Sequence, residues 1–153
     1  MKPALLDANL LIALLWPAHE HHDRAHAWFA SRPEQPWATC PLTELAFVRI
    51  VSNPAFSKEA LSPAEALALL GRNLSHPWHQ LWPDDLGVVE AVERFAGHLQ
   101  GHRQLTDLYL LALAARRKGV LASFDSGLRA LTTRDLASAL ETVPTIRRLS
   151  PRR

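Results

Sequence analysis

Apolar runs of three to five residues alternate along this chain with longer stretches of helical periodicity, and no other feature limits its fold so strongly. Runs that short, separated by helix-length segments, predict an α/β sheet with crossover helices. Ala4-Leu5-Leu6, Trp37–Cys40 and Val120–Phe124 read as buried strands. Trp78–Trp82, between two prolines, reads as an edge strand, because proline cannot donate to a ladder. The last strand is expected at Thr142–Arg147.

Between the strands, helices are predicted over Ala8–Leu15, His21–Ser31 and Pro41–Val51, with a fourth from Ser62 to about Leu74. In the second, Ala25, Trp28 and Phe29 share one face. Ser62-Pro63-Ala64-Glu65 combines an N-cap serine, an N1 proline and an N3 glutamate. Asp84-Asp85 is expected to open and cap a helix reaching about Gly97. Thr106–Lys118 is apolar on nearly all sides, hence buried, and Gly119 is expected to stop it. A short helix after Asp125 and another near Arg134–Glu141 complete the pattern.

With 153 residues and 48% hydrophobic content the chain suits one domain. The six glycines form neither GxGxxG nor a P-loop, which argues against a dinucleotide or nucleotide cradle. One cysteine, Cys40, excludes an intramolecular disulfide and fits a reducing compartment. No stretch approaches the ~18 consecutive apolar residues of a membrane span. Asp7 interrupts what would otherwise resemble a signal peptide's apolar segment. A cytoplasmic protein with no membrane partner is therefore expected.

Two strands end in an aspartate, Leu6-Asp7 and Phe124-Asp125. In open parallel sheets ligands bind beyond the carboxyl ends of the strands, where the strand order reverses. Asp107, at the start of the most buried helix, and Glu44, in the first turns after strand two, lie where helix N-termini open on that same edge. Spacing alone also allows plainer roles: Asp107 as a dipole partner with Thr106 the cap, and Glu44 as a first-turn acid. Two carboxylates ~4 Å apart repel by about 4 kcal/mol at an effective dielectric near 20. A divalent cation removes that cost, and an all-oxygen set suits Mg²⁺ or Mn²⁺ rather than Zn²⁺. This is the chemistry of metal-dependent nucleases.

Leu5-Leu6-Asp7-Ala8-Asn9-Leu10-Leu11-Ile12, Thr43-Glu44-Leu45-Ala46, Thr106–Ala114 and Ala122–Leu128 resemble, in that order, the acidic motifs of PIN-domain nucleases. More narrowly, the chain resembles VapC-type toxin ribonucleases of bacterial type II toxin–antitoxin pairs, over about residues 3–148. The resemblance implies a three-layer α/β/α fold with a parallel sheet of order 3-2-1-4-5. It implies a PIN domain over residues 1–148 and a short basic tail over 149–153. Asp7, Glu44, Asp107 and Asp125 become the catalytic, Mg²⁺- or Mn²⁺-holding acids. Asn9 and Ser123 would orient them, Ser123 standing where the family more often has threonine; Thr106 is a further supporting residue. Also implied are hydrolysis of structured RNA, tRNA or rRNA, to 3′-hydroxyl and 5′-phosphate ends, a cognate VapB-type antitoxin that plugs the site, and a homodimer.

Two other functions compete. A phosphatase of the haloacid-dehalogenase type would use Asp7 as nucleophile, but needs a second aspartate where Asn9 stands. A non-catalytic PIN-like module would only bind RNA or protein, which the four intact acids disfavour. Arg103 and Arg49 are candidate RNA-phosphate contacts; Arg103, four residues before Asp107, is the better placed, since Arg49 does not share Glu44's face, and a surface ion pair is the plainer role of either. His22 and His26 have i, i+4 spacing but no third ligand, so capping, solvation or a partner surface is preferred over zinc. Trp78 and Trp82 with His76 and His79 suggest a base-stacking platform, against which stands the usual burial of tryptophan. The net charge of +2 is uninformative as a sum. With the four acids set aside, seventeen basic residues face eleven acidic ones, a basic body around an acidic hole.

Overall fold

The structure, a computed structural model, describes residues 2–95, 97, 101–132, 134 and 136–145. Five strands form one parallel sheet: β1 (Ala4–Leu6), β2 (Trp37–Thr39), β3 (His79–Leu81), β4 (Val120–Ser123) and β5 (Leu140–Thr142). Their order is β3-β2-β1-β4-β5, as expected. The chain winds outward from β1 through β2 to β3, then crosses to β4 on the other side. β1 and β4 thus flank the point of reversal.

Alternation along the strands feeds two cores. Ala4, Leu6, Trp37, Val120 and Ala122 face one side, with α1 (Ala8–Leu15), α2 (His22–Ala30), α3 (Pro41–Val51) and α4 (Pro63–Leu74) packed over them. Leu5, Ala38 and Leu121 face the other, under α5 (Val88–Glu93) and α6 (Leu105–Arg116). The result is the expected three-layer α/β/α arrangement. No helix among the described residues is long and apolar enough to cross a membrane.

Local chemistry explains most boundaries. Ser62 accepts from the Glu65 amide and Glu65 reaches back to Ser62, completing the predicted capping box of α4. The C-terminal carbonyls of α1 are met by histidine: His22 Nδ1 lies 2.7 Å from the Ala13 oxygen and His26 Nε2 2.9 Å from that of Leu14. Those two histidines therefore have the capping role, and their helical spacing serves α1.

Several expectations need correction. Asp84-Asp85 does not cap a helix: α5 starts at Val88 with Gly87 as its cap. Leu86 is buried, its carbonyl accepts from Tyr109 Oη, and Asp85 pairs with Arg117 at 2.9 Å, so this stretch is held outside the helix. Thr106 is not the cap of α6, which starts one residue earlier behind Gln104. The helix near 134–141 is only a 3₁₀ turn at Ala137–Ala139. Strand β5 comes earlier than expected, because Leu140, Glu141 and Thr142 pair with Leu121, Ala122 and Ser123. Glu141 is anchored there by Trp28 Nε1 and Arg32. Of the expected last strand, Val143, Pro144 and Thr145 lie beyond the end of β5 and are not strand, while Arg147 and the basic tail 149–153 lie outside the described residues.

Gly119 does not itself turn the chain. Lys118 takes the left-handed conformation (φ 54°) that ends α6. Glycine is needed next because a Cβ there would stand 2.6 Å from the Pro3 carbonyl oxygen and 2.7 Å from the Trp82 ring.

Candidate active site

Asp7 follows β1 immediately and begins α1. Its Oδ1 accepts from the Leu10 amide at 2.8 Å, making it the N-cap, and its Oδ2 accepts from the Ser123 hydroxyl. The side chain is only 7% exposed, and burial pushes its carboxyl above the ordinary value. The Ser123 and Leu10 hydrogen bonds oppose that rise, and the Asp125 charge adds to it. Ser123 is fully buried at the end of β4, and its Oγ also accepts from the Asp125 amide at 3.0 Å. One hydroxyl thus ties the ends of β1 and β4 together across the reversal.

Asp125 caps the 3₁₀ helix Ser126–Leu131 by accepting from the Gly127 amide at 2.8 Å. Both strand-terminal aspartates therefore have a local structural duty that sequence spacing did not reveal. Each carboxylate oxygen keeps lone-pair capacity beyond its one amide or hydroxyl bond.

Asp107 enters from the first turn of α6. Its carboxyl is pushed up to about 6 by burial, then by the charges of Asp7 and Asp125. No described residue donates a hydrogen bond to it. Asp7, Asp107 and Asp125 thus feel one another's charge at the ends of β1 and β4.

Glu44 is brought to the same edge of the sheet from α3, but its bonding is separate. Its Oε1 accepts from Thr39 Oγ1 at 2.9 Å, and Thr39 Oγ1 is 2.8 Å from His79 Nε2. The carboxylates that raise Asp107 are those of Asp7 and Asp125.

The donor set, acidic oxygens with uncompensated charge and no His or Cys among them, fits Mg²⁺ or Mn²⁺ in kind. Among the described residues, no three His, Cys, Asp or Glu side chains already stand at metal-ligand spacing.

Of the supporting residues, Ser123 touches Asp7 and Asp125, whereas Asn9 is exposed on α1 and Thr106 exposed on α6. Arg49 is exposed in the last turn of α3. Arg103 lies in the 3₁₀ turn His102–Gln104, and its side chain is outside the described set. The stacking platform dissolves: Trp82 is 4% exposed, Trp78 is 41% exposed, His76 Nδ1 accepts from Trp37, and His79 turns to Thr39. Thr39 is the residue that sequence reasoning missed. Nothing in a local pattern marks it, because its partners come from α3 and from β3.

A five-stranded parallel sheet with acids gathered at its reversal is the frame of PIN domains, and the PIN domain family matches residues 4–133. Ribonuclease VapC39 of Mycobacterium tuberculosis is 43% identical over 125 residues, covering 82% of this chain and 90% of that protein. Ribonuclease VapC38 of the same species is 41% identical over 124 residues, covering 81% and 86%. The chain belongs to the PIN-domain family, within its VapC ribonuclease branch. The fold is shared with VapBC2 from Rickettsia felis, solved bound to a DNA fragment from its promoter (TM-score 0.64, 14% identity, 92% of this chain and 98% of that one). It is shared too with M. tuberculosis VapC20, a sarcin–ricin loop cleaving toxin (TM-score 0.60, 14% identity, 89% and 94%).

Proposed function

We propose that this protein is a metal-dependent endoribonuclease toxin that hydrolyses phosphodiester bonds in structured RNA, tRNA or rRNA. The observation that carries this reading is the gathering of Asp7, Asp107 and Asp125 at the strand reversal, with Asp107 pushed up to about 6 by burial and then by the charges of the other two. Carboxylates that repel one another are stabilised when a cation joins them, and the relatives that share this sequence at about two residues in five are ribonucleases.

Asp7, Asp107 and Asp125, with Glu44 from α3, would hold Mg²⁺ or Mn²⁺. When bound, the ion supplies Lewis-acid stabilisation of the phosphate and an activated water for in-line attack. Ser123 fixes the Asp7 carboxylate and the Asp125 backbone, so the two strand ends present their oxygens in one register. Arg103 is the basic residue best placed by position for the RNA backbone. The basic remainder of the chain attracts a polyanion toward the acidic crevice. The same reading includes a cognate VapB-type antitoxin and a homodimer.

The test maps RNA 5′ ends after expression of the wild-type chain and of Asp7→Asn. New 5′-phosphate ends at defined positions are expected with wild type only, and in vitro cleavage should stop in EDTA and return with Mn²⁺. Equal cleavage by Asp7→Asn, or undiminished cleavage in EDTA, would overturn the reading.

A further inference from the structure

Four buried polar residues stand out among the described residues: Asp7, Thr39, Thr43 and Ser123. Asp7 and Ser123 belong to the aspartate cluster. Thr43 is occupied in starting α3, receiving the Cys40 amide and returning a bond to the Cys40 carbonyl. Thr39 has no such local duty. It ends β2 fully buried, where valine would fill the same volume without a polar atom to satisfy. Its hydroxyl reaches Glu44 Oε1 and His79 Nε2 instead.

The direction of the Thr39–Glu44 bond follows from its proton inventory. A hydroxyl has one proton, and a carboxylate can only accept. Thr39 therefore donates to Glu44, its oxygen lies 2.8 Å from His79 Nε2, and the imidazole also hydrogen-bonds the Leu74 backbone. The ring is held in place by Trp37, whose centroid lies 4.7 Å away. Pairing of Trp37 with His79 and of Thr39 with Leu81 sets the β2–β3 register that brings ring and hydroxyl together.

We propose that Thr39 and His79 are positioning residues: a two-link chain, His79 to Thr39 to Glu44, that holds the Glu44 carboxylate in place for the metal. The inference rests on the reading of Glu44 as a metal-holding acid. Partners of this kind, one bond removed from the ligand, change metal affinity by about 10–100-fold when removed.

The experiment is a calorimetric Mn²⁺ titration of the metal-free full chain, with circular dichroism confirming the fold of each variant. Thr39→Val should weaken Mn²⁺ binding about tenfold, while Thr39→Ser, which keeps the hydroxyl, stays within about twofold of wild type. His79→Leu should lose affinity in the same direction and His79→Gln, which retains an N–H donor, should recover part of it. In a Glu44→Gln background Thr39→Val should have no further effect, because the link then leads nowhere. Wild-type affinity in Thr39→Val, or an equal loss with and without Glu44, overturns the positioning role. Glu44→Gln binding Mn²⁺ as wild type does overturns the metal-holding reading, and the inference with it. Should Thr39→Val fail to fold, Thr39→Ser and the two His79 variants decide the matter by the same pattern.

Discussion

Replacing Asp107 by asparagine should make the metal-free protein more stable, although it removes a residue of the candidate centre. In the folded chain the Asp107 carboxyl is raised from 3.8 to about 6, chiefly by burial and then by Asp7 and Asp125. A group whose folded pKa is raised binds more protons in the native state than in the unfolded one, so stability falls as pH climbs through the interval between the two values. The penalty is absent below about pH 4 and complete above about pH 6. Fully expressed, such a rise corresponds to about 3 kcal/mol. Solvent reaches this partly buried side chain, and screening reduces the figure to about 1 kcal/mol.

Asparagine keeps the shape and carries no charge, so Asp107→Asn should melt about 2–4 °C above wild type in EDTA at pH 7.5. The difference should shrink toward zero at pH 4, since both side chains are then neutral. Asp7, raised for the same reason of burial, is present in both proteins, and the comparison isolates residue 107. Saturating Mn²⁺ should reverse the order, because an ion bound only by the native state stabilises whichever protein binds it more tightly. Scanning calorimetry or dye-monitored melting from pH 4 to 8 measures all of this. An Asp107→Asn protein that melts at or below wild type in EDTA at pH 7.5, or an offset independent of pH, would refute the reasoning.

Three further outcomes follow from the packing and the bonding. Gly119→Ala places a methyl 2.6 Å from a backbone oxygen of the strand entry, and should cost about 2–3 kcal/mol in urea denaturation. Ser123→Ala leaves the buried Asp7 oxygen without its donor and removes the tie between β1 and β4; a loss of about 1–3 kcal/mol is expected, with the Asp7 carboxyl rising further in an NMR titration. Ser62→Ala breaks the capping box of α4, far from the acids, and should lower stability by about 1 kcal/mol while RNA cleavage under native conditions is unchanged.

Much of this architecture was legible from local signals. Apolar runs bounded by Asp7 and Asp125 marked β1 and β4, and Ser62-Pro63-Ala64-Glu65 marked the start of α4, because capping and strand burial are decided within a few residues. Elements with weak local signals were misread. Asp84-Asp85 looks like a cap, but the burial of Leu86 and the Tyr109 hydroxyl hold that stretch out of the helix. Leu140–Thr142 looks like a helix end, but the open edge of β4 recruits it as a strand. Gly119 reads as a helix stop, whereas the turn is made at Lys118 and the glycine admits the backbone of Pro3.

By itself the sequence determined the class of fold, the strand-ending aspartates and the all-oxygen character of the site, since these depend on periodicity and residue chemistry. Only the tertiary structure decided which acids feel one another. Asp7, Asp107 and Asp125 are charged against each other because the sheet reverses between β1 and β4 and α6 enters above that point. Glu44 takes its hydrogen bond from Thr39, and through it from His79, because parallel pairing brings β3 beside β2. Charges and hydrogen bonds act over short distances in space, and residues as far apart in sequence as Asp7 and Asp125 reach that range only once the sheet has formed.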